Sequence, residues 1–212
     1  NDFHDYGPEL SVTDVTVKSS HIGTAHIAQM IGKERQQQFL KALGFFEPTA
    51  IEMVEAPPGK PLLPKKWAEI STLTISYGHG LSASPLHLAA AYATIANGGT
   101  RVSPTLLKSA NRKVGERVMS EQVAAVARDM LRQVVTRGTA SMGEVPGYAV
   151  GGKTGTADKP KPTGGYYDDK VITTFAAMFP AHQPKYVLVV SLDEPEETSG
   201  SEPRRTAGWT AA

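Results

Sequence analysis

The 212-residue sequence contains no cysteine, which excludes disulfide bonds, thiolate zinc sites and a cysteine nucleophile. No apolar run approaches the roughly 18 to 20 residues that span a bilayer, and the first residues do not resemble a signal peptide. The formal net charge is only +1, so the composition predicts no nucleic-acid partner. No two histidines have the H-x-x-x-H spacing of a metal site, and we predict no metal and no cofactor.

The composition that remains is that of one globular domain. Hydrophobic residues make up 40% of the chain and charged residues 20%, and the length is enough to bury a core. The sequence contains no internal repeat and no low-complexity segment. We therefore predict a single domain over residues 1–212.

Helical periodicity first appears in residues 22–43. Apolar residues recur there at helical spacing, and Gly32 predicts a break that divides the segment into two short helices. Residues 45–66 contain several prolines and scattered charges without any period. We predict an extended loop for that segment.

Two further helices have clear start signals. Ser84 and Pro85 are a capping residue followed by proline at the first helical position, and Asn97 begins the stop signal. Ser120 opens the next helix. Its predicted apolar face consists of Val123, Val126, Ala127, Met130, Leu131 and Val134.

The last third of the chain has the composition of strands. Residues 148–157, 171–179 and 185–192 are rich in β-branched and aromatic residues and are separated by turn signals. The link 180–184 is too short for a crossover helix, so the last two strands should form an antiparallel hairpin. Asp168 and Asp169 are predicted to lie at a solvated hairpin tip.

One motif allows a nucleotide hydrolase as an alternative interpretation. Gly147, Gly152, Lys153 and Thr154 satisfy the phosphate-loop expression G-x-x-x-x-G-K-[ST]. A phosphate loop needs a buried strand before it and a helix after it. The glycines and prolines after Thr154 disfavour that helix, and an antiparallel hairpin disfavours the parallel sheet of that fold.

The same residues fit another motif better. At the end of a strand, Lys153, Thr154, Gly155 and Thr156 resemble the Lys-Thr-Gly signature of penicillin-recognising serine enzymes. A lysine there supplies positive charge for a substrate carboxylate, threonine hydroxyls add hydrogen bonds, and glycine leaves room for an acyl chain to approach.

The resemblance covers nearly the whole chain. Residues 76–89 (SYGHGLSASPLHLA) and 92–99 (YATIANGG) are similar to the segment between the second and third motifs of class B penicillin-binding proteins, above all the division-specific type. The sequence Ser19-Ser20-His21 lies where that family has Ser-x-Asn followed by a helix. Without this resemblance, the two serines could merely cap the helix.

The resemblance implies the α/β fold of penicillin-recognising serine transpeptidases, an antiparallel sheet flanked by helices, here incomplete on its amino-terminal side. It implies that a serine attacks the D-Ala carbonyl of a peptidoglycan stem peptide and that β-lactams are trapped at the acyl stage. Ser19 would relay a proton, Lys153 would organise charge and the substrate carboxylate, and the backbone N–H of Thr156 would form half of the oxyanion hole.

Two departures from the family pattern bear on function. His21 replaces the asparagine of Ser-x-Asn, and no Ser-x-x-Lys occurs in the sequence. In the family Ser-x-x-Lys supplies the acylated serine, so we expect that segment upstream and expect this chain alone to be inactive. A catalytically inert module that binds wall peptides or division proteins is therefore a third interpretation.

The family resemblance also implies partners and a location. Expected partners are stem peptides, β-lactams and division proteins that include a lipid-linked glycan polymerase. The expected location is the periplasm or the extracytoplasmic face of the inner membrane, with an anchor outside this chain.

Overall fold

The computed structural model describes residues 2, 4–48, 51–55, 59–108, 114–201 and 203–212. The helices within these residues are α1 (Val12–Val17), α2 (His21–Ile31), α3 (Lys33–Ala42), α4 (Glu69–Ser76), α5 (Pro85–Ala96), α6 (Glu121–Arg137) and α7 (Ala207–Thr210). The strands are β1 (Gly151–Pro160), β2 (Tyr166–Phe179) and β3 (Tyr186–Asp193). Among the described residues, no helix is both long and apolar enough to cross a bilayer.

The three strands form an antiparallel sheet in the order β1-β2-β3, which confirms the predicted hairpin and α/β class. Lys153 of β1 lies opposite Ala176 of β2, which in turn lies opposite Val189 of β3. Helix α6 packs against β1, while α5 packs against β2 and β3. Lys153 therefore lies on an outer strand of the described sheet.

The boundaries of β1 and β2 differ from those that the sequence predicts. Strand β1 begins at Gly151, three residues after the predicted start, because residues 145–148 form a turn in which the N–H of Tyr148 donates to the Val145 carbonyl at 2.9 Å. Strand β2 begins at Tyr166 and not at residue 171, since its first residue still pairs with β1.

The hairpin tip also lies elsewhere than predicted. Asp168 and Asp169 are exposed but belong to β2, so their placement at the tip was wrong. The tip consists of residues 161–165, where the N–H of Lys161 donates to the Gly165 carbonyl at 2.9 Å. Two consecutive glycines with positive φ close this turn more readily than the aspartates would.

Helices α2 and α3 confirm the predicted break. Gly32 has φ +81°, and its N–H donates to the Ala28 carbonyl at 2.9 Å, so it ends α2 and precedes the first residue of α3. A residue with a Cβ rarely adopts this conformation. The described parts of the predicted loop 45–66 contain neither helix nor strand; residues 49–50 and 56–58 of that prediction lie outside the described residues.

Helix α5 begins as the sequence predicts. The hydroxyl of Ser84 accepts the N–H of His87 at 3.4 Å, and Pro85 occupies the first helical position. The imidazole of His87 returns a contact to the Ser84 backbone N–H at 3.3 Å. These two contacts form a reciprocal cap that fixes the start of the helix.

Helix α6 begins after Ser120 as predicted, but its predicted apolar face was partly wrong. Val123 and Val126 are 55% and 50% exposed. The buried residues of the helix are Ala124, Leu131, Val134 and Val135. The buried face of the helix is the one that packs against β1 and α1. The spacing of apolar residues alone does not determine which face that is.

The main core joins the two ends of the chain. Its buried members come from α1, α6, β2 and the segments that flank β1: Val17, Val134, Val135, Ala140, Val150, Phe175 and Ala177. This core lies directly behind Lys153. It brings the α1–α2 turn against β1, although more than a hundred residues separate them in sequence.

Candidate active site

Lys153 and Ser19, which belong to two separate sequence motifs, are in direct contact. The ammonium of Lys153 donates to the hydroxyl oxygen of Ser19 at 2.9 Å and to the carbonyl of Thr154 at 2.9 Å. The lysine side chain is half-buried against the sheet, and this burial lowers its pKa to about 8. The contact places a cationic group and a hydroxyl side by side.

Ser19 occupies an unusual backbone conformation. Its φ is +57°, in the left-handed region that non-glycine residues seldom adopt. The turn is held by the N–H of Ser19, which donates to Thr16 at 3.3 Å, and by the N–H of Ser20, which donates to Val15 at 3.0 Å. Such a conformation costs about 1 to 3 kcal/mol and persists only where the surrounding structure enforces it.

The neighbouring serine, Ser20, is the N-cap of helix α2. The hydroxyl of Ser20 accepts the N–H of Gly23 at 2.9 Å and so caps α2. It also donates to a carboxylate oxygen of Asp2 at 2.6 Å, whose other oxygen accepts the N–H of Ile22 at 3.1 Å. Because Ser20 caps the helix, the Ser19 hydroxyl is not needed for capping and can contact Lys153.

Asp2 is a site residue that the sequence did not indicate. Burial would raise its pKa, but the hydrogen bonds from Ser20 and the backbone of Ile22 hold that pKa below its usual value. Its carboxylate is therefore ionised near neutral pH. A single acidic residue 18 positions before Ser20 carries no sequence signal of this role.

His21 is the first residue of α2, and its ring stacks on Tyr77, with the ring centroids 4.8 Å apart and the planes 11° from parallel. Burial lowers the pKa of His21, and the nearby charges of His79 and Lys153 lower it further, whereas Asp2 raises it. The imidazole is therefore mainly neutral at pH 7. A neutral imidazole offers one donor and one acceptor, as an asparagine amide does.

The other predicted residues follow Lys153 along β1. The hydroxyl of Thr154 contacts that of Thr139 at 2.9 Å, and the hydroxyl of Thr156 accepts the N–H of Ala207 at 2.9 Å. Gly155 is exposed, and only the carbonyl of Thr174, at 4.0 Å, comes near where its Cβ would be. Both threonine hydroxyls thus have partners within the protein, while the backbone of residues 155–156 lies along an outer, exposed strand.

The nucleotide-hydrolase interpretation was wrong. Lys153 lies inside β1, and the chain continues as a strand to Pro160, so the motif is not followed by the helix that a phosphate loop requires. The sheet is antiparallel throughout its described length. In the part of the chain that the structure describes, no group of three or more His, Asp or Glu side chains could hold a metal ion.

Comparison with known proteins agrees with this geometry. The sequence model of the penicillin binding protein transpeptidase domain matches residues 1–208. The chain belongs to the penicillin-binding protein transpeptidase family. Among curated relatives of this family, it is 36% identical over 222 residues to the probable peptidoglycan D,D-transpeptidase FtsI of Caulobacter vibrioides, covering 100% of this chain and 37% of the relative. It is also 36% identical to penicillin-binding protein PbpB of Mycolicibacterium smegmatis, covering 93% of this chain and 33% of the relative.

Solved transpeptidases have the same fold. Penicillin-binding protein 3 of Mycobacterium tuberculosis, complexed with aztreonam, aligns with a TM-score of 0.86 and 33% identity over 98% of this chain and 50% of that one. The apo transpeptidase domain of Burkholderia pseudomallei penicillin-binding protein 3 aligns with a TM-score of 0.84 and 38% identity, covering 92% of this chain and 59% of that one. The chain spans about a third of the length of the curated relatives and about half that of the solved chains.

Proposed function

We propose that this chain forms one wall of the catalytic cleft of a peptidoglycan D,D-transpeptidase. The observation that carries the proposal is the 2.9 Å contact between Lys153 and Ser19, which joins two motifs 134 residues apart in the sequence. Acyl transfer requires a proton relay and a positive charge near one carbonyl. The family membership supports this assignment over a catalytically inert binding module, since the relatives are named as transpeptidases.

The chemistry divides between this chain and a segment it does not contain. The nucleophile is the serine of a Ser-x-x-Lys motif, which is absent from residues 1–212. That serine attacks the D-Ala carbonyl of a stem peptide and D-Ala leaves; an amine of a neighbouring strand then takes up the acyl group. The Ser19 hydroxyl relays the proton to the leaving amine, since its Oγ already accepts from Lys153 and its own hydrogen is available to donate.

Lys153 acts through its charge. Its ammonium holds Ser19 in place and attracts the carboxylate of the stem peptide or of a β-lactam. The backbone N–H of Thr156 contributes half of the oxyanion hole, and the exposed Gly155 leaves space for the acyl chain. His21 takes the place of the motif asparagine and hydrogen-bonds the substrate as a neutral imidazole.

The same proposal covers partners and location. The substrates are stem peptides, and β-lactams form stable acyl adducts. Division proteins, among them a lipid-linked glycan polymerase, are the proposed partners, because the matched relatives include FtsI. The site works on the extracytoplasmic face of the inner membrane or in the periplasm, with any anchor outside these residues.

Acylation by a fluorescent penicillin tests the proposal. The longer protein that contains residues 1–212 together with a Ser-x-x-Lys segment should be labelled, whereas the 212-residue chain should not. Ser19→Ala should lower the acylation rate by roughly a hundredfold or more, since proton relay contributes about 10² to 10⁴. Exposed Ser82→Ala serves as the matched control. Stable labelling of the 212-residue chain, or an unchanged rate in Ser19→Ala, would contradict the assignment.

A further inference from the structure

A chain of aromatic contacts extends from His21 of the candidate active site. Tyr77 stacks on His21 at 4.8 Å, His79 packs edge-on against Tyr77 at 5.8 Å and 68°, and Tyr166 packs edge-on against His79 at 6.3 Å and 87°. These rings come from the start of α2, the end of α4 and the start of β2. Of these four residues, only His21 belongs to a sequence motif of the proposed reaction.

The backbone places Tyr77 independently of its side chain. Tyr77 is the C-cap of α4, and its N–H donates to the Thr74 carbonyl at 3.3 Å. The chain then reverses through Gly78, whose φ of +103° suits glycine, and the N–H of His79 also donates to Thr74 at 3.0 Å. A change of the Tyr77 side chain therefore leaves the contacts that form this turn in place.

The ring of His21 needs a fixed plane to act as a donor and acceptor. The terminal torsion of an imidazole is intrinsically broad, so its orientation depends on what the ring contacts. The parallel face of Tyr77, 11° from the ring plane, restricts that torsion. His21 is two residues after Ser19, and the charge of Lys153 acts on its imidazole, so the stacked ring belongs to the same site.

We propose that Tyr77 is a positioning residue for the transpeptidase reaction, which acts by holding the imidazole of His21 in the orientation that binds the acyl donor. The proposal rests on the proposed function. It explains how histidine can stand where the family motif has asparagine: an asparagine amide is short, while an imidazole reaches further and needs support on its face. Tyr77 supplies that support.

The electrostatic surroundings of His21 provide a specific readout. The charged or titratable groups that affect it within the described chain are Asp2 from the amino-terminal segment, Lys153 from β1 and His79 from the turn after α4. Burial is the main cause of its lowered pKa, and the stacked Tyr77 ring lies against one face of the imidazole. Removal of that ring should expose the imidazole to water and raise its pKa toward the ordinary value of about 6.5.

The test compares Tyr77→Leu with Tyr77→Phe in the longer protein that also carries the Ser-x-x-Lys segment. Tyr77→Leu should lower the rate of acylation by benzylpenicillin by up to roughly a hundredfold, the cost of a misplaced reacting group. Its acid limb in the pH–rate profile should move to higher pH, because His21 protonates more readily. Tyr77→Phe keeps the stacked ring and should restore both properties, and Tyr148→Leu, at an exposed tyrosine, controls for the side-chain change.

A double substitution separates positioning from a general structural effect. In a His21→Asn background, Tyr77→Leu should have little further effect on the rate, since the ring it supports is gone. NMR of labelled histidine should show the ring-current shift of His21 in the wild type and in Tyr77→Phe, and its loss in Tyr77→Leu. An equal loss of rate in both backgrounds, or an acid limb that does not move, would overturn the proposal. If the wild type is not acylated, the proposed function fails, while the NMR shift still decides whether Tyr77 holds His21.

Discussion

At the scale of single residues, the site depends on how its surroundings set the protonation of Lys153. Burial lowers the pKa of this lysine to about 8, yet its partner Ser19 is neutral and supplies no compensating negative charge. The ammonium is thus the charged form near neutral pH and is lost at moderately alkaline pH. A substrate carboxylate would raise the pKa of Lys153, because an opposite charge favours the charged form.

The Lys153 pKa predicts the alkaline limb of the reaction. Acylation by a β-lactam that carries a carboxylate should fall as the pH rises through about 8. Lys153→Arg stays charged over this range, so its rate should not fall as the pH rises through this value. At pH 7 its rate should be lower than that of the wild type by no more than about tenfold, because the guanidinium fits the site poorly. Stopped-flow acylation between pH 6 and pH 10 measures both. The same limb in the two proteins would assign the titration to another group.

The free energy of unfolding should also depend on the protonation of Lys153. The folded-state pKa of Lys153 lies below the value of about 10.4 in an unfolded chain. The folded state therefore binds fewer protons between these values, and the contribution of Lys153 to stability rises as the pH increases from about 8 to above 10.

Sequence reasoning identified the residues whose chemistry is visible in a motif. Lys153 and Ser19 were paired through their motifs, and the structure brings them into contact. Asp2 and Tyr77 were not assigned roles, since an aspartate near the start of the chain and a tyrosine after a short helix have many ordinary uses. Their contacts with Ser20 and His21 arise only from the tertiary fold.

At the scale of secondary-structure elements, local signals were reliable where a cap defined the end. Ser84 and Ser120 start α5 and α6, and Gly32 separates α2 from α3. Helices α1, α4 and α7 were not predicted. They have six, eight and four residues, too few to establish a period. The face of α6 was mistaken because packing against β1 and α1, and not periodicity, selects which side is buried.

The cap of α5 allows a stability prediction. Ser84→Ala removes the hydroxyl that accepts the N–H of His87 and lies 2.8 Å from the His87 ring nitrogen Nδ1. The other ring nitrogen contacts the Glu47 carbonyl at 2.8 Å, so the cap also links α5 to the preceding loop. We expect a loss of about 1 to 2 kcal/mol in the free energy of unfolding, measured by urea denaturation. Ser82→Ala is the control, and equal effects in the two variants would show that the cap is dispensable.

At the scale of the whole molecule, Ser19 and Lys153 meet because α6 packs against both α1 and β1. The N–H of Thr139, just after α6, donates to the Val17 carbonyl at 3.3 Å, and Arg137 pairs with Asp14 of α1 at 2.7 Å. Gly138 approaches α1 so closely that an added Cβ would lie 2.5 Å from the Val17 carbonyl oxygen. Because α6 also packs against β1, it holds the α1–α2 turn and β1 next to each other.

The outer strand β3 is incompletely covered in the described structure. Tyr186, Leu188 and Leu192 lie on the face that is covered over β2, where their neighbours include buried core residues, yet they themselves are 62%, 47% and 36% exposed. Among the described strands, none pairs with the outer edge of β3. Exposed apolar side chains beside an unpaired strand edge favour association.

We therefore expect the 212-residue chain by itself to self-associate through β3. Leu188→Lys places a charge among the exposed side chains of β3 and should increase the monomer fraction, because association through β3 would bury that charge. Val123→Lys, at a similarly exposed valine on α6, should leave association unchanged. Light scattering across a concentration series measures the mass of each variant, and urea denaturation reports cooperativity. A monodisperse wild-type monomer that unfolds cooperatively would show instead that residues 1–212 form an autonomous unit and that the exposed residues of β3 are tolerated as ordinary surface.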